Sequence, residues 1–250
     1  MLYEDEGVRN EQKLAHELNN KKYNSLTPNL KNIIDKIFGV PKKNVKINSD
    51  LVKKRDIKPD IWIKVKYKKA YVSVKMHKPY GVHQEHLCTL IPFLRGLGVQ
   101  ENALKALVRF IYCDGTLNGT GKTRMSKTEY MIKYKEEIEM LNEALNKKEI
   151  ILACAERFLF LGRREPIIPA DYIYVGDIEK GEIASRGQII KYLERHDFSD
   201  IRVPHVGFFL FHPMVRGLKR TYIDPKVKQT VQIGTLYFED KLRLISHRYQ

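Results

Sequence analysis

A stretch of alternating apolar and polar residues at positions 59–85 constrains the fold more than any other part of the chain. Apolar side chains recur at every second position from 61 to 67, a period of two that is typical of a half-buried strand. After the polar pair Lys68-Lys69 the alternation resumes from 71 to 76 and predicts a second strand. Two such strands joined by a short polar turn predict an antiparallel β-hairpin.

This hairpin is expected to gather three polar side chains at one end of a sheet. Ser73 and Lys75 share one face of the second strand, and Val74 faces the core on the other. The start of one antiparallel strand lies beside the end of the next, which brings Asp60 close to Lys75. A carboxylate, a hydroxyl and an ammonium are therefore predicted to converge.

A second carboxylate follows shortly after the hairpin. Glu85 lies near the start of a helix predicted from about residue 82 to 97, from which it can lean back toward Asp60. An Asp and a Glu that share a site suit a hard divalent cation such as Mg2+. An ammonium beside them can steady a phosphate or help to deprotonate a water. Asp60 and Glu85 are therefore the predicted metal ligands, with Lys75 beside them.

The arrangement resembles the PD-(D/E)xK nuclease superfamily, the fold of most Type II restriction endonucleases. The matching residues are Pro59-Asp60 and Ser73-Val74-Lys75, and the resemblance covers roughly residues 8–97. The family usually carries Asp or Glu where Ser73 stands. One branch has Ser or Thr there and takes its second carboxylate from the following helix, which is the role that the resemblance gives to Glu85.

The resemblance implies an α/β (mixed α+β) fold with a restriction-endonuclease-like central mixed sheet flanked by helices, followed by additional C-terminal strands. It implies Mg2+-dependent, sequence-specific cleavage of double-stranded DNA by a homodimer, with a partner DNA methyltransferase protecting the host. Lys75 would orient or activate the attacking water, and Ser73 would support the site. In the family a glutamate on the first helix often supports the metal, and Glu11 is the corresponding candidate here.

The charge of the chain agrees with a nucleic-acid partner. The 250 residues carry a formal net charge of +15, an excess that favours a polyanion. A membrane surface is the alternative, but no basic amphipathic helix or lipidation motif stands out. No apolar run approaches the ~20 residues of a membrane span, and the polar N-terminus is unlike a secretory signal. We therefore expect a cytoplasmic protein without a membrane partner.

A glycine-rich loop at residues 113–126 invites comparison with a nucleotide-binding P-loop. The Walker pattern requires a glycine five positions before Gly121, but Thr116 stands there. The preceding residues also have helical rather than strand periodicity, which excludes the ATPase interpretation. Lys122 and Arg124 are instead candidates for binding DNA phosphates.

The remaining DNA-binding candidates lie in two places. Gln84 stands beside the predicted metal site and could bind a water or a phosphate. A basic segment at residues 212–229 is the preferred recognition region, since Arg and Gln are the usual readers of base edges. Its candidate residues are Arg216, Lys219 and Arg220.

The domain organisation is inferred from a change of composition near residue 165. Residues 1–165 would form the catalytic core with a helical insertion, and residues 166–250 would add strands and the recognition region, within one domain or as a second. Residues 230–239 and 242–246 are predicted to pair as strands. Two other functions stay open: a repair or recombination nuclease that recognises DNA structure, and a DNA-binding protein without catalysis.

Overall fold

The computed structural model describes residues 6–53, 57–76, 81–162, 168–213 and 229–249. The chain divides into two units that interleave along the sequence. The first comprises Met1–Tyr80, Ala155–Arg195 and Tyr237–Gln250, and the second comprises Gly81–Cys154 and His196–Leu236. The predicted boundary near residue 165 coincides with none of the four points at which the chain passes between the units.

The first unit is built on a mixed sheet, as the sequence predicted. In the described residues its six strands lie in the order β1-β2-β3-β4-β6-β7, and β4 and β6 form its parallel pair. The strands are β1 (Lys21–Lys22), β2 (Lys46–Leu51), β3 (Ile61–Val65), β4 (Lys68–Lys75), β6 (Tyr172–Gly176) and β7 (Gly181–Ser185).

Helices flank this sheet. The first two, α1 and α2, share one hydrophobic cluster with the apolar side chains of β2, β3 and β4. Thr27 caps α2 by accepting a hydrogen bond from Leu30 N, and Pro28 occupies its first turn, as expected for a helix start. The helices are α1 (Glu6–Leu18), α2 (Pro28–Phe38), α8 (Arg186–Arg195) and α9 (Phe238–Arg248), with a π-helical turn at Glu156–Leu161.

The predicted hairpin is confirmed. Strands β3 and β4 pair antiparallel, with Ile61 opposite Val72 and Val65 opposite Lys68. Val72 and Val74 are buried in the cluster shared with α1 and α2. The period of two therefore assigned Val72 and Val74 to the core correctly. The predicted turn at Lys68-Lys69 was wrong, because β3 ends at Val65 and β4 begins at Lys68, and Tyr67 lies exposed in the turn between them.

The second unit has an antiparallel sheet. Its four strands in the described residues lie in the order β5-β10-β9-β8. They are β5 (Gly81–His86), β8 (His205–Val206), β9 (Phe209–Pro213) and β10 (Thr230–Thr235); the helices are α3 (Leu87–Gly96), α4 (Glu101–Tyr112), α5 (Lys127–Lys133), α6 (Lys135–Leu145) and α7 (Lys148–Ala155).

Two predicted elements were wrong for the same physical reason. The helix expected from residue 82 begins only at Leu87, because residues 81–86 pair as β5 with β10. The segment 242–246 is not a strand; it belongs to α9, in which Phe238, Leu242 and Ile245 bury one side at helical spacing. Short apolar segments suit either period, and partners far away in the sequence decide between them.

The helices also bear on the membrane question. Among the helices formed by the described residues, none has both the length and the hydropathy that a membrane crossing requires.

A half-buried histidine of the second unit is expected to make folding sensitive to mild acid. Burial, and then the ammonium of Lys127 at 3.3 Å from Nδ1, lower the pKa of His212 from 6.5 to about 4. A depressed folded-state pKa gives stability that is complete above 6.5 and is lost as pH falls toward 4. We expect this loss to be roughly 2 kcal/mol, allowing for the partial exposure of the ring.

The measurement is urea unfolding at a series of pH values between 7 and 4. His212→Gln should flatten this pH dependence, whereas His247→Gln, which removes an exposed histidine of α9, should leave it unchanged. An unchanged slope in His212→Gln would contradict the assignment.

Candidate active site

The carboxylate of Asp60 is the centre of the candidate site in the first unit. Its Oδ2 atom accepts hydrogen bonds from Ser73 Oγ at 3.0 Å, Val74 N at 2.6 Å and Lys75 Nζ at 3.1 Å. The backbone of Asp60 is also held in the sheet, because its N–H donates to Val72 O and its carbonyl accepts from Val52 N. The predicted approach of Asp60 to Lys75 is therefore confirmed.

Lys75 is anchored but accessible. Its ammonium also donates to Val74 O at 2.8 Å, so two of its three protons are engaged by the described residues. The side chains of Lys75 and Asp60 are 21% and 20% exposed. The ion pair thus lies at the edge of the protein interior, where a polar ligand can reach it.

Ser73 is fully buried, although it shares the face of Lys75. It lies opposite Ile173 on the parallel strand β6, and its hydroxyl donates to Asp60. A hydroxyl whose proton points at a carboxylate orients that carboxylate. This geometry agrees with the supporting role that the sequence gave to Ser73, and it differs from an activated serine beside a histidine.

The Asp60 carboxylate offers one oxygen to a metal ion such as Mg2+. All hydrogen bonds that the side chain of Asp60 accepts from the described residues fall on Oδ2, which leaves Oδ1 for another ligand. A partly exposed carboxylate oxygen is the donor that Mg2+ prefers. Asp60 therefore fits as a single ligand, while the described residues include no group of three or more His, Cys, Asp or Glu side chains arranged to hold a metal ion.

Glu11 lies on a helix that is anchored at the same end of the sheet. Its neighbour Asn10 is buried and donates from Nδ2 to Gly176 O at 2.7 Å. Gly176 follows Val175, which is the register partner of Lys75. Glu11 follows Asn10 in α1 and is half-buried.

Glu85 differs from its predicted position. It lies on β5 in the second unit, not on the helix that follows, and its side chain is fully buried. Its Oε2 atom is 3.1 Å from Nε2 of His83, a contact within that unit. The pairing of β5 with β10 determines this orientation, and it makes Glu85 part of the interior of the second unit.

The candidate DNA-binding residues lie in different settings. Gln84 and Lys122 are exposed. Arg124 is half-buried and donates to Tyr112 O at 2.7 Å and to Ile111 O at 2.8 Å, so it holds the glycine-rich loop to the C-terminus of α4. Burial lowers its pKa. The residues Arg216, Lys219 and Arg220 lie outside the described part of the chain.

The structure adds a pair of aromatic residues that the motif search did not single out. Trp62 and Tyr71 face each other across β3 and β4, on the same side of the sheet as Ser73. The alternation of the hairpin sequence already places both aromatic residues on its polar face, since Trp62 occupies a polar-side position and Tyr71 shares the face of Lys75.

The likeness of the hairpin to a nuclease motif has no counterpart over longer stretches of sequence. No model of a known protein family matches the chain, and no curated protein matches it at a significant level. The geometry around Asp60 and the charge of the chain are therefore what a function must rest on.

Proposed function

We propose that this protein is a Mg2+-dependent endonuclease of the PD-(D/E)xK type, with its active site at Asp60, Ser73 and Lys75. The observation that carries the proposal is the contact of 3.1 Å between the Asp60 carboxylate and the Lys75 ammonium across the ends of β3 and β4. The motif order, Pro59-Asp60 followed by Ser73-Val74-Lys75, supports it. The net charge of +15 supports a polyanionic substrate.

Asp60 would hold the metal through Oδ1, and Glu11 on α1 is the acid that we propose to complete the site. Glu11 takes this place because the side chain of Glu85 is fully buried and contacts His83. A bound Mg2+ supplies charge that polarises the scissile phosphate and stabilises the leaving oxygen.

The residues of the chain perform the other tasks. Ser73 Oγ and Val74 N donate to Oδ2 of Asp60, which fixes the orientation of the carboxylate. Lys75 has one proton left after its bonds to Asp60 and Val74 O. That proton can form a hydrogen bond to a phosphate oxygen or to the attacking water. A hydrogen bond to the water would orient it for in-line attack.

The biological role we propose is restriction in the cytoplasm, in which a two-fold symmetric homodimer cuts both strands of a short DNA sequence. A methyltransferase that modifies the same sequence is the expected partner. A nuclease that recognises branched or nicked DNA uses the same chemistry. A DNA-binding protein without catalysis is the other candidate, favoured by the lack of a second acid in the described contacts of Asp60.

Digestion of a supercoiled plasmid tests the proposal. We expect discrete fragments with fixed ends in Mg2+ and intact plasmid in EDTA, because cleavage requires the metal and the sequence selects the site. End sequencing then gives the recognition sequence. Cutting that depends on branches or nicks would indicate the repair nuclease, and binding without cutting in Mg2+ or Mn2+ would leave the non-catalytic alternative.

Two variants of α1 identify the second acid in the same assay. Glu11→Gln should raise the Mg2+ concentration needed for half-maximal cutting, because it removes a charged ligand. Glu17→Gln is the matched control, since Glu17 is a glutamate of the same helix that contacts His16 at the surface. Equal Mg2+ requirements in the two variants would exclude Glu11.

A further inference from the structure

One face of the β2-β3-β4 sheet carries a regular pattern of aromatic and basic side chains. This face lies opposite the hydrophobic cluster that α1 and α2 cover. The antiparallel register places its residues in two rows across the strands. The aromatic row is Asp50, Trp62 and Tyr71, and the basic row is Asn48, Lys64 and Lys69.

The rings of the aromatic row are arranged to receive a flat or cationic group. The ammonium of Lys69 lies 4.6 Å from the ring centroid of Trp62 and 4.7 Å from that of Tyr71. Both residues are only half-buried, so an incoming base can reach the rings by displacing the flexible side chain of Lys69. A cavity of about 340 Å³ adjoins them, within the size range of small-ligand sites, and it is lined in part by Lys53, Lys69 and Asp50.

The basic row indicates the charge of the partner. Lys64 and Lys69 are directly opposite each other on neighbouring strands, and both are exposed. Like charges in this position destabilise a sheet. An anionic ligand lying across both strands would relieve the repulsion, and the excess positive charge of the chain adds to its attraction.

We propose that the two rows form a platform for an unpaired strand of nucleic acid. Bases stack on Trp62 and Tyr71, and Lys64 and Lys69 neutralise the phosphates. Alternating aromatic rings and lysines on an open surface are the features that bind single strands without sequence preference. Duplex bases are already stacked inside the helix, so a duplex would leave the rings unused.

The platform leads toward Asp60. Asp60 precedes Trp62 by two residues on the same side of β3, and Ser73 follows Tyr71 by two residues on β4. Two residues of a strand span about 7 Å. A strand bound on the platform would therefore reach the Asp60 carboxylate within a short distance. Delivery of the strand to Asp60 for cleavage rests on the proposed nuclease function, whereas binding to the platform does not.

Trp62 is the only tryptophan in the chain and reports on the platform directly. The experiment titrates the full-length protein with an oligo(dT) strand in EDTA and follows tryptophan fluorescence. We expect saturable quenching, because a stacked base contacts the indole ring. Anisotropy of a labelled strand then gives the affinities of the variants, and circular dichroism confirms that each variant is folded.

The variants separate stacking from charge. Trp62→Ala and Tyr71→Ala should each weaken binding by roughly tenfold or more, the typical loss for one stacked base. Lys69→Ala should lower the slope of log affinity against log salt by about 0.7, the value for one phosphate contact with a single strand. Lys13→Ala, an exposed lysine on α1, is the control and should change neither quantity.

Several results would overturn the platform. They are the absence of quenching by oligo(dT), wild-type affinity in both Trp62→Ala and Tyr71→Ala, and equally strong quenching of Trp62 by polyglutamate or by duplex DNA. Asp60→Asn distinguishes this proposal from the nuclease. That variant should bind oligo(dT) as the wild type does even where cleavage is lost, whereas a protein that cuts plasmid with an inert platform would refute only the platform.

Discussion

Asp60→Asn is expected to eliminate DNA cleavage by this protein while leaving its fold intact. The asparagine has nearly the same shape, and its side-chain oxygen can still accept from Ser73 and Val74 N as Oδ2 does now. The change removes the negative charge that attracts Mg2+ and balances the Lys75 ammonium. Because bound metal contributes several kcal/mol to the stabilisation of such transition states, the cleavage rate should fall by roughly a thousandfold or more.

The measurement compares initial rates of plasmid cleavage at saturating Mg2+, with thermal unfolding recorded for each protein. Asp240→Asn is the matched control, because Asp240 is an exposed acid of α9 in the same unit. It should cut as the wild type does. Lys75→Met tests the other half of the contact and should lower the rate with little change in the Mg2+ requirement. Wild-type rates in Asp60→Asn would refute the proposed site.

Tyr174→Ala should produce the largest loss of stability among the substitutions considered for the first unit. The ring is fully buried in the cluster beneath the hairpin, where Tyr174 is the register partner of Val74. Its hydroxyl accepts from Asn29 Nδ2 at 2.9 Å and hydrogen-bonds the carbonyl of Asp177 in the β6–β7 turn. Removing an aromatic ring from a packed core costs about 3–5 kcal/mol.

Tyr174→Phe separates the hydroxyl from the ring. It keeps the packing but leaves Asn29 Nδ2 without this acceptor, which should cost about 1–3 kcal/mol. Urea unfolding followed by Trp62 fluorescence measures both variants, since Trp62 lies on the same sheet. A loss for Tyr174→Ala no larger than that for Tyr174→Phe would contradict the packing argument.

The pH dependence of the same variants gives an independent check. Burial raises the pKa of Tyr174 above its usual value of 10.0. The raised pKa gives stability that is complete below pH 10 and is lost as pH rises through the folded-state pKa, because the unfolded chain ionises first. Tyr174→Phe should therefore lose less stability than the wild type between pH 10 and 11.

The sequence alone was sufficient for the hairpin and for the contact at its end. A period of two assigned Val72 and Val74 to the core, and the antiparallel geometry of neighbouring strands required Asp60 to meet Lys75. The same holds for the start of α2, where Thr27 and Pro28 supply a cap and a first turn. These features depend on residues close together in the sequence, and local stereochemistry is enough to specify them.

Only the tertiary structure decided the position of Glu85 and the contacts of Arg124. Residues 81–86 became a strand because β10, more than 140 positions later, supplied the hydrogen bonds, and this buried Glu85 beside His83. Arg124 turned inward because the carbonyls at the end of α4 required a donor. Buried backbone N–H and C=O groups need hydrogen-bond partners. Where the partner lies far away in the sequence, no local pattern of residues predicts it.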